Sequence, residues 1–509
     1  MTMASTKEAP VVEKPTREQR AEAKAEKLRD RVSIWRVIPW SAHSFSMNAL
    51  IVMTGYFTIY ATDTLRLNPA IVGGLLVVSK ILDAAGALLT GWIVDRAPET
   101  KLGKARPFDL IIIACWAATA FLFSTPGSLG DVAKYAWIFS SYILLTALFM
   151  PLYQANNPLF TARVFPRREH YSDVSAKTGL VTVLVAIIIT VGMPIAIQAA
   201  GKDPAAWSLV AICIAIPATL IGLIRFWVFR ESSEAAEIQA ERVSMREIFS
   251  TLRRNPYIWV LSAMSILVGV YGSIAAGAYY FRYVVGNIGL QGLVAVSYVA
   301  LIPLMFFFPV LIRKFSISRM IAVSSFIGAA GYLVMLFAGA NLPLIMASAV
   351  LTGLAALPIS FLAPVLIIDN ATYNEWKGNR RLESVGGALF SFSGTVGGAI
   401  AAGVLGSVLA VTGYSGAANT QSATAIHGII ALNSWIPAIF AVATGLVALR
   451  YHRLEQNMKT ITADVLARRE VLVESEVIPG APLTGTDAVR VVRRERNAPF
   501  GRSGRKRND

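Results

Sequence analysis

The chain has 509 residues, of which 55% are apolar and 15% charged, well short of the roughly quarter charged fraction of a soluble domain. Its net charge is +16, but the basic residues sit in short gaps between apolar stretches and in the two tails, a pattern that sets aside nucleic-acid binding and points to a bilayer. Cys115 and Cys213 both fall inside apolar stretches, which argues against a disulfide framework.

Residues 1–33 are charged and Ala-rich and read as a cytoplasmic N-terminal tail, with no apolar core of a cleavable signal peptide. Twelve apolar stretches follow, at 37–60, 69–94, 107–124, 134–160, 176–200, 206–229, 257–281, 291–312, 318–339, 343–368, 384–412 and 427–451. Each is close to the roughly 20 residues that cross a bilayer. Hydrocarbon offers backbone groups no water, so each is expected to be a helix. Basic residues cluster in every second gap: Arg96, Lys101, Lys104 and Arg106; Arg163, Arg167 and Arg168; Arg313, Lys314 and Arg319; Lys377, Arg380 and Arg381. The intervening gaps hold only Arg66, Lys134, Lys202 and Arg282. The inside-positive bias therefore places the first set, and both termini, in the cytoplasm, with the chain multi-pass in the plasma (inner) membrane.

The expected fold is an all-α integral membrane protein: two six-helix bundles, 34–229 and 257–451, joined by a cytoplasmic linker at 230–256. In that linker Met245, Ile248, Phe249 and Leu252 recur at the spacing of an amphipathic surface helix. A basic tail, 452–509, opens with a short surface helix and ends in a Gly-, Pro- and Arg-rich stretch whose composition predicts disorder. The 6 + 6 arrangement predicts parallel repeats with a substrate site between them near the midplane. Pro151 and Pro158 are expected to interrupt the fourth span, Pro303 and Pro309 the eighth, and Pro358 and Pro364 the tenth. The glycines of the eleventh, with Gly86 and Gly91 in the second, predict close helix approach.

Lys80 and Asp83 lie mid-span, three residues apart on one helix face. Intramembrane charges line cavities or relays more often than they serve packing; Asp83 is the candidate cation or proton carrier and Lys80 its partner. In the fourth span Tyr153, Gln154, Asn156 and Asn157 supply a phenol and amides able to hydrogen-bond sugar hydroxyls or, alternatively, neighbouring helices. His43 and Asn48 in the first span and Thr395 in the eleventh are weaker substrate candidates. Two loop strings mix acids and bases: Asp95, Arg96, Lys104 and Arg106, and Asp369, Tyr373, Glu375, Arg381 and Glu383. Read plainly they are solvated loop charge; read as a device they are a cytoplasmic gate of salt bridges that breaks when the protein turns inward. No Walker A, HExxH or GxSxG string is present, so the sequence offers no enzyme chemistry.

In order along the chain, Tyr60-Ala61-Thr62-Asp63, Lys80-Ile81-Leu82-Asp83-Ala84, Gly91-Trp92-Ile93-Val94, Lys104-Ala105-Arg106-Pro107, the 369–384 string and the Gly-rich eleventh span resemble the glycoside–pentoside–hexuronide cation symporters (melibiose permease-like), within the major facilitator superfamily. The resemblance implies the major facilitator fold, alternating access, and import of a sugar or glycoside driven by protons or sodium. The chain departs from the family where Gly86 and Ala87 replace an Asn and an Asp of the cation site, where Met47 and Phe149 replace acids, and where Thr395 replaces a lysine; Tyr153 keeps the family's aromatic. One carboxylate beside a lysine is a poor cage for a hard cation, so protons are favoured over sodium, with uncoupled diffusion as an alternative. Transport of a lysolipid or other amphiphile is the second carrier reading, and a membrane sensor or enzyme the non-carrier one. No cofactor or metal site is expected; the expected partners are the sugar or glycoside and the lipid bilayer, with the chain a monomer.

Overall fold

A computed structural model describes residues 32–165, 168–231, 255–301, 315–379 and 383–476. Among them every regular element is helical: α1 Ile34–Gly55, α2 Phe57–Ile59, α3 Pro69–Arg96, α4 Ile111–Leu122, α5 Asp131–Ile143, α6 Met150–Val164, α7 Arg168–Ala200, α8 Pro204–Val228, α9 Pro256–Ser273, α10 Gly277–Tyr283, α11 Gly292–Ser297, α12 Ile317–Ala338, α13 Leu342–Trp376, α14 Glu383–Val411, α15 Ala423–Asn433 and α16 Trp435–Glu476. Nine helical runs among the described residues are long and apolar enough to cross a membrane. The predicted first span forms α1 and α2, the predicted third forms α4 behind a short 3-10 turn at Arg106–Leu110, and half of the predicted eighth lies outside the described residues.

Local chemistry sets the starts. Asn68, Asp203 and Asn255 each turn a side-chain oxygen onto the first free amides of α3, α8 and α9, and a proline follows each cap. The cap satisfies an orphan N–H, and proline fills a position whose N–H is free anyway.

Several breaks fall where the sequence does not put them. The fourth span runs through both prolines as α6; its irregularity is instead a π-helical segment, Leu144–Phe149, between α5 and α6. Pro358 and Pro364 likewise lie inside an unbroken α13, and Pro303 and Pro309 lie outside the described residues. A second π segment, Tyr60–Thr64, ends the first span. π segments of this kind concentrate at functional sites. The last helix does not stop at 451. It continues to Glu476, and Tyr451, Leu454, Met458, Ile461 and Val465 form a buried stripe at alternating spacings of three and four, the first four packed with Leu261, Ile321 and Leu366.

The core divides unevenly. At the end of the molecule where Asp63 lies, one cluster runs continuously through residues of both halves, from Tyr56, Tyr60 and Trp207 to Tyr279, Leu405 and Tyr414. At the opposite end, where Glu231 lies, two clusters stay within one half each: Val37, Trp40, Phe160 and Phe229 in the first, Leu261, Ile321, Leu366 and Tyr451 in the second. Helices α3 and α14 meet at Gly73 and Gly406, where a Cβ on either would stand 2.8 Å from the other's Cα. Helices α7 and α11 meet where a Cβ on Gly292 would stand 2.6 Å from the Val191 carbonyl oxygen. Both crossings lie in the half of the bundle nearer Asp63, and only residues without side chains allow backbones so close.

Candidate functional site

Lys80 and Asp83 share a face of α3, with Lys80 Nζ donating to Asp83 Oδ2 at 2.9 Å. The pair is partly open, 29% and 12% exposed, and the other carboxylate oxygen has no hydrogen-bond partner among the described residues. The Lys80 stem reaches toward the second half: a Cβ on Gly398 of α14 would stand 4.0 Å from Lys80 Cδ. One turn below, a Cβ on Gly86 would stand 1.8 Å from the Ala147 carbonyl oxygen of the π segment. The position where the resemblance implies an Asn side chain is thus filled by backbone, and the pair leaves a single buried carboxylate oxygen without a partner among the described residues. Among the described residues no three His, Cys, Asp or Glu converge as metal ligands.

The remaining candidates are spread over different environments. Asn157 accepts from Arg225 Nη1 at 2.6 Å. Arg225 is fully buried in α8 and makes a two-pronged pair with the equally buried Asp109, donating from Nε to Oδ2 at 2.8 Å. Trp40, Tyr153 and Phe160 surround its guanidinium at 5.1, 5.7 and 5.2 Å from their ring centroids. Tyr153 and Asn156 are closed off, 1% and 0% exposed, and the Tyr153 hydroxyl and both amide atoms of Asn156 have no hydrogen-bond partner among the described residues. His43 is buried, its Nδ1 2.7 Å from the Trp40 carbonyl oxygen. Asn48 donates to the Ser44 carbonyl at 2.7 Å and Thr395 to the Ser391 carbonyl at 3.2 Å, while Gln154 is exposed. The fourth-span polar group and Lys80–Asp83 are therefore not brought into one contact network.

At the proposed gate strings several side chains among the described residues bond to neighbours of their own half. Arg106 donates to the Phe226 carbonyl at 2.9 Å and its guanidinium lies over that ring; Arg96 lies over Trp92 of its own helix. In the second half Asn255 donates to Asn370 and Asn374, Tyr373 stands edge-on to Tyr257, and Trp376 donates to Asp464. Asp369 is half-buried and Glu375 buried. Lys104 lends its main-chain N–H to Glu231 at 3.1 Å. Arg381 and the side chains of Asp95 and Glu383 lie outside the described residues.

The opposite end carries a cluster that the sequence left unassigned. Asp63 is fully buried and accepts from Arg282 Nη1 at 2.9 Å, from the Tyr283 hydroxyl at 2.6 Å and from the Tyr414 hydroxyl. Thr62 beside it meets the Tyr279 hydroxyl at 2.9 Å. Asp63 and Thr62 belong to the first half and the other four residues to the second. Lys202, also of the first half, donates to the carbonyls of Gly416 and Ala418 at 3.0 and 2.9 Å. A Cβ on Gly416 would overlap the Thr62 carbonyl oxygen, at 1.8 Å, so the loop after α14 seats directly on the first half. Burial, reinforced by the Asp63 carboxylate, holds the Tyr414 phenol well above its ordinary value and so keeps it a donor. Desolvation, with Arg282 and Arg66 nearby, lowers Lys202. Thr62 and Asp63 carry a sequence signal, as part of a family string; the carboxylate's partners lie 219 to 351 residues away, beyond any periodicity.

The family model described as MFS/sugar transport protein matches residues 39–453. The isoprimeverose transporter of Lactiplantibacillus pentosus is 24% identical over 451 residues, covering 84% of this chain and 92% of that protein. The glucuronide carrier protein homolog of Escherichia coli (strain K12) is 24% identical over 441 residues, covering 84% and 93%. Among solved structures, a bacterial homolog of the human lysosomal transporter Spinster superposes with a TM-score of 0.63 at 12% identity, covering 83% of this chain and 97% of that one. A D-xylose-proton symporter superposes with a TM-score of 0.58 at 14% identity, covering 82% and 97%. At these identities the two superpositions speak to fold alone.

Proposed function

The chain belongs to the MFS/sugar transport protein family, and from that premise we propose that it imports a sugar or glycoside by alternating access, coupled to protons through Asp83. Proteins of this class are membrane transporters, not enzymes. Twelve helices in two six-helix bundles, with the basic loops and both termini in the cytoplasm, are the arrangement we assign. In that orientation the Glu231 end faces the cytoplasm, and the chain is held inward-facing: one core and a buried ion-pair cluster join the halves outside, and separate cores divide them inside.

The observation that carries the reading is the Lys80–Asp83 pair, partly open and facing α14 of the other half. A lone carboxylate oxygen beside an ammonium does not complete a sodium shell, which needs several oxygens, and this favours the proton as the coupling ion. Protonation of Asp83 releases Lys80, and coupling follows if the proton-bound pair prefers one state of the carrier. Substrate is placed at the same interface, reached from Lys80, Gln154, Asn48 and Thr395; Tyr153, Asn156 and Asn157 support that wall from within.

The test is uptake of labelled isoprimeverose, raffinose and a glucuronide into proteoliposomes under a proton gradient, a sodium gradient or neither. Accumulation of one of them with the proton gradient alone, lost in Asp83→Asn while downhill exchange persists, is the expected result. Uptake by sodium alone would remove the proton assignment. No uptake of any sugar would remove the substrate class and move the reading to an amphiphile.

A further inference from the structure

Glu231 is the second residue of the 230–256 linker, yet it does not point into solvent. Its carboxylate accepts from three successive main-chain amides, Lys104 at 3.1 Å, Ala105 at 2.7 Å and Arg106 at 2.7 Å, and from Arg163 Nη1 at 2.9 Å. Gly103, at φ +101°, shapes the cradle: a Cβ there would stand 2.4 Å from the Glu231 carboxylate. The side chain is 6% exposed. Successive amides converging at the start of a helix are anion ligands, because the N–H groups and the peptide dipoles both favour negative charge.

The second half repeats the device. Glu455, beyond the membrane portion of α16, accepts from the main-chain amides of Ile317 and Ser318, the latter at 3.0 Å, and from the Ser318 hydroxyl, at the start of α12. In the predicted span order, the sixth helix of the first half plugs the third, and the twelfth plugs the ninth. Two carboxylates separated by more than two hundred residues, at equivalent places in two repeats, are unlike chance surface pairing.

We propose that the 103–106 turn is an anion-binding site whose resident ligand is Glu231, with Glu455 its repeat-related counterpart, and that Glu231 is a positioning residue for transport. The contact ties together the ends of α3, α4, α6 and α8: the loop from α3, the 3-10 turn leading to α4, Arg163 from α6 and Glu231 after α8. These ends then turn as one body when the carrier changes state. The claim is independent of which solute is carried.

The test uses full-length purified protein. Glu231→Gly empties the cradle without adding a side chain, and its melting temperature is followed in potassium acetate, sodium sulfate and, at matched ionic strength, chloride. Relative to chloride, acetate or sulfate should raise the melting temperature of Glu231→Gly by roughly 2 °C or more beyond the rise the same salt gives the unsubstituted protein. Glu231→Gln should lower maximal transport about tenfold with KM within about twofold, because translocation and not binding is affected, and Glu231→Asp should recover part of it. A rise in Glu231→Gly no greater than that of the unsubstituted protein would overturn the proposal. If Glu231→Gly cannot be purified, Glu231→Asp melting well above Glu231→Gln supports the site and equal melting of the two overturns it.

Discussion

The two ends of this carrier use the same chemistry to opposite effect. At the Asp63 end, carboxylate, guanidinium and phenol bridge the two halves: Asp63 to Arg282, Tyr283 and Tyr414, and Lys202 to the Gly416 and Ala418 carbonyls. At the Glu231 end, less deeply buried carboxylates bond within a half: Glu231 to the 104–106 amides and Arg163, Glu455 to the start of α12. Bonds inside a half make a rigid body and bonds between halves choose a state. A substitution in the first group should therefore register as stability, and one in the second as a shift of population.

The largest effect is expected within a half. Arg225→Ala leaves Asp109 charged, unpaired and fully buried, a loss of about 3–5 kcal/mol read as a lower melting temperature and reduced yield of folded protein. The double variant with Asp109→Ala should recover much of that loss, since no lone charge remains; an equal or deeper loss would show that the pair is not the source. Gly86→Asn comes next. Its side chain must displace the Ala147 backbone, 1.8 Å from the new Cβ, and overpacking of this kind costs roughly 1–3 kcal/mol. Sodium-driven uptake should not appear in it, and its appearance would contradict the filled-site account.

Across the halves the readout changes. Asp63→Asn removes the charge that Arg282 and two phenols share, and the latched state should lose about 2 kcal/mol, or ~30-fold in population, relative to the outward-open one. Its melting temperature should stay closer to that of the unsubstituted protein than that of Arg225→Ala, and state-dependent cysteine labelling at the Asp63 end should rise. The smallest effect is back within a half. Trp376→Phe loses only the partly exposed bond to Asp464 and should change stability by less than about 0.5 kcal/mol, with transport unaltered.

Composition and the rhythm of charge made the helical membrane architecture legible, because a bilayer tolerates few solutions and each writes a long local signal. The Lys80–Asp83 pair was legible for the same reason, two charges inside one span at helical spacing. That rule applied consistently also points to Arg225 and Asp109, which fall inside the predicted spans 206–229 and 107–124. Their partnership was hidden by a separation of 116 residues, and with it the reason Asn157 is occupied. The two π segments were not legible, since proline marks where a helix can bend and not where packing against Gly86 or the Asp63 cluster makes it widen. Glu231 has no mark in the sequence because three of its four partners are main-chain amides, which have no side-chain signature.

The most direct test of the account is a pair of spin-label distances in proteoliposomes, one across the Asp63 end between Ala70 and Thr420 and one across the Glu231 end between Leu102 and Lys377. The account predicts a short Asp63-end distance and a long Glu231-end distance in the unsubstituted protein, with Asp63→Asn adding a longer population at the first and a shorter one at the second. Distances that stay unchanged in Asp63→Asn, or that lengthen together at both ends, would contradict alternating access governed by this latch.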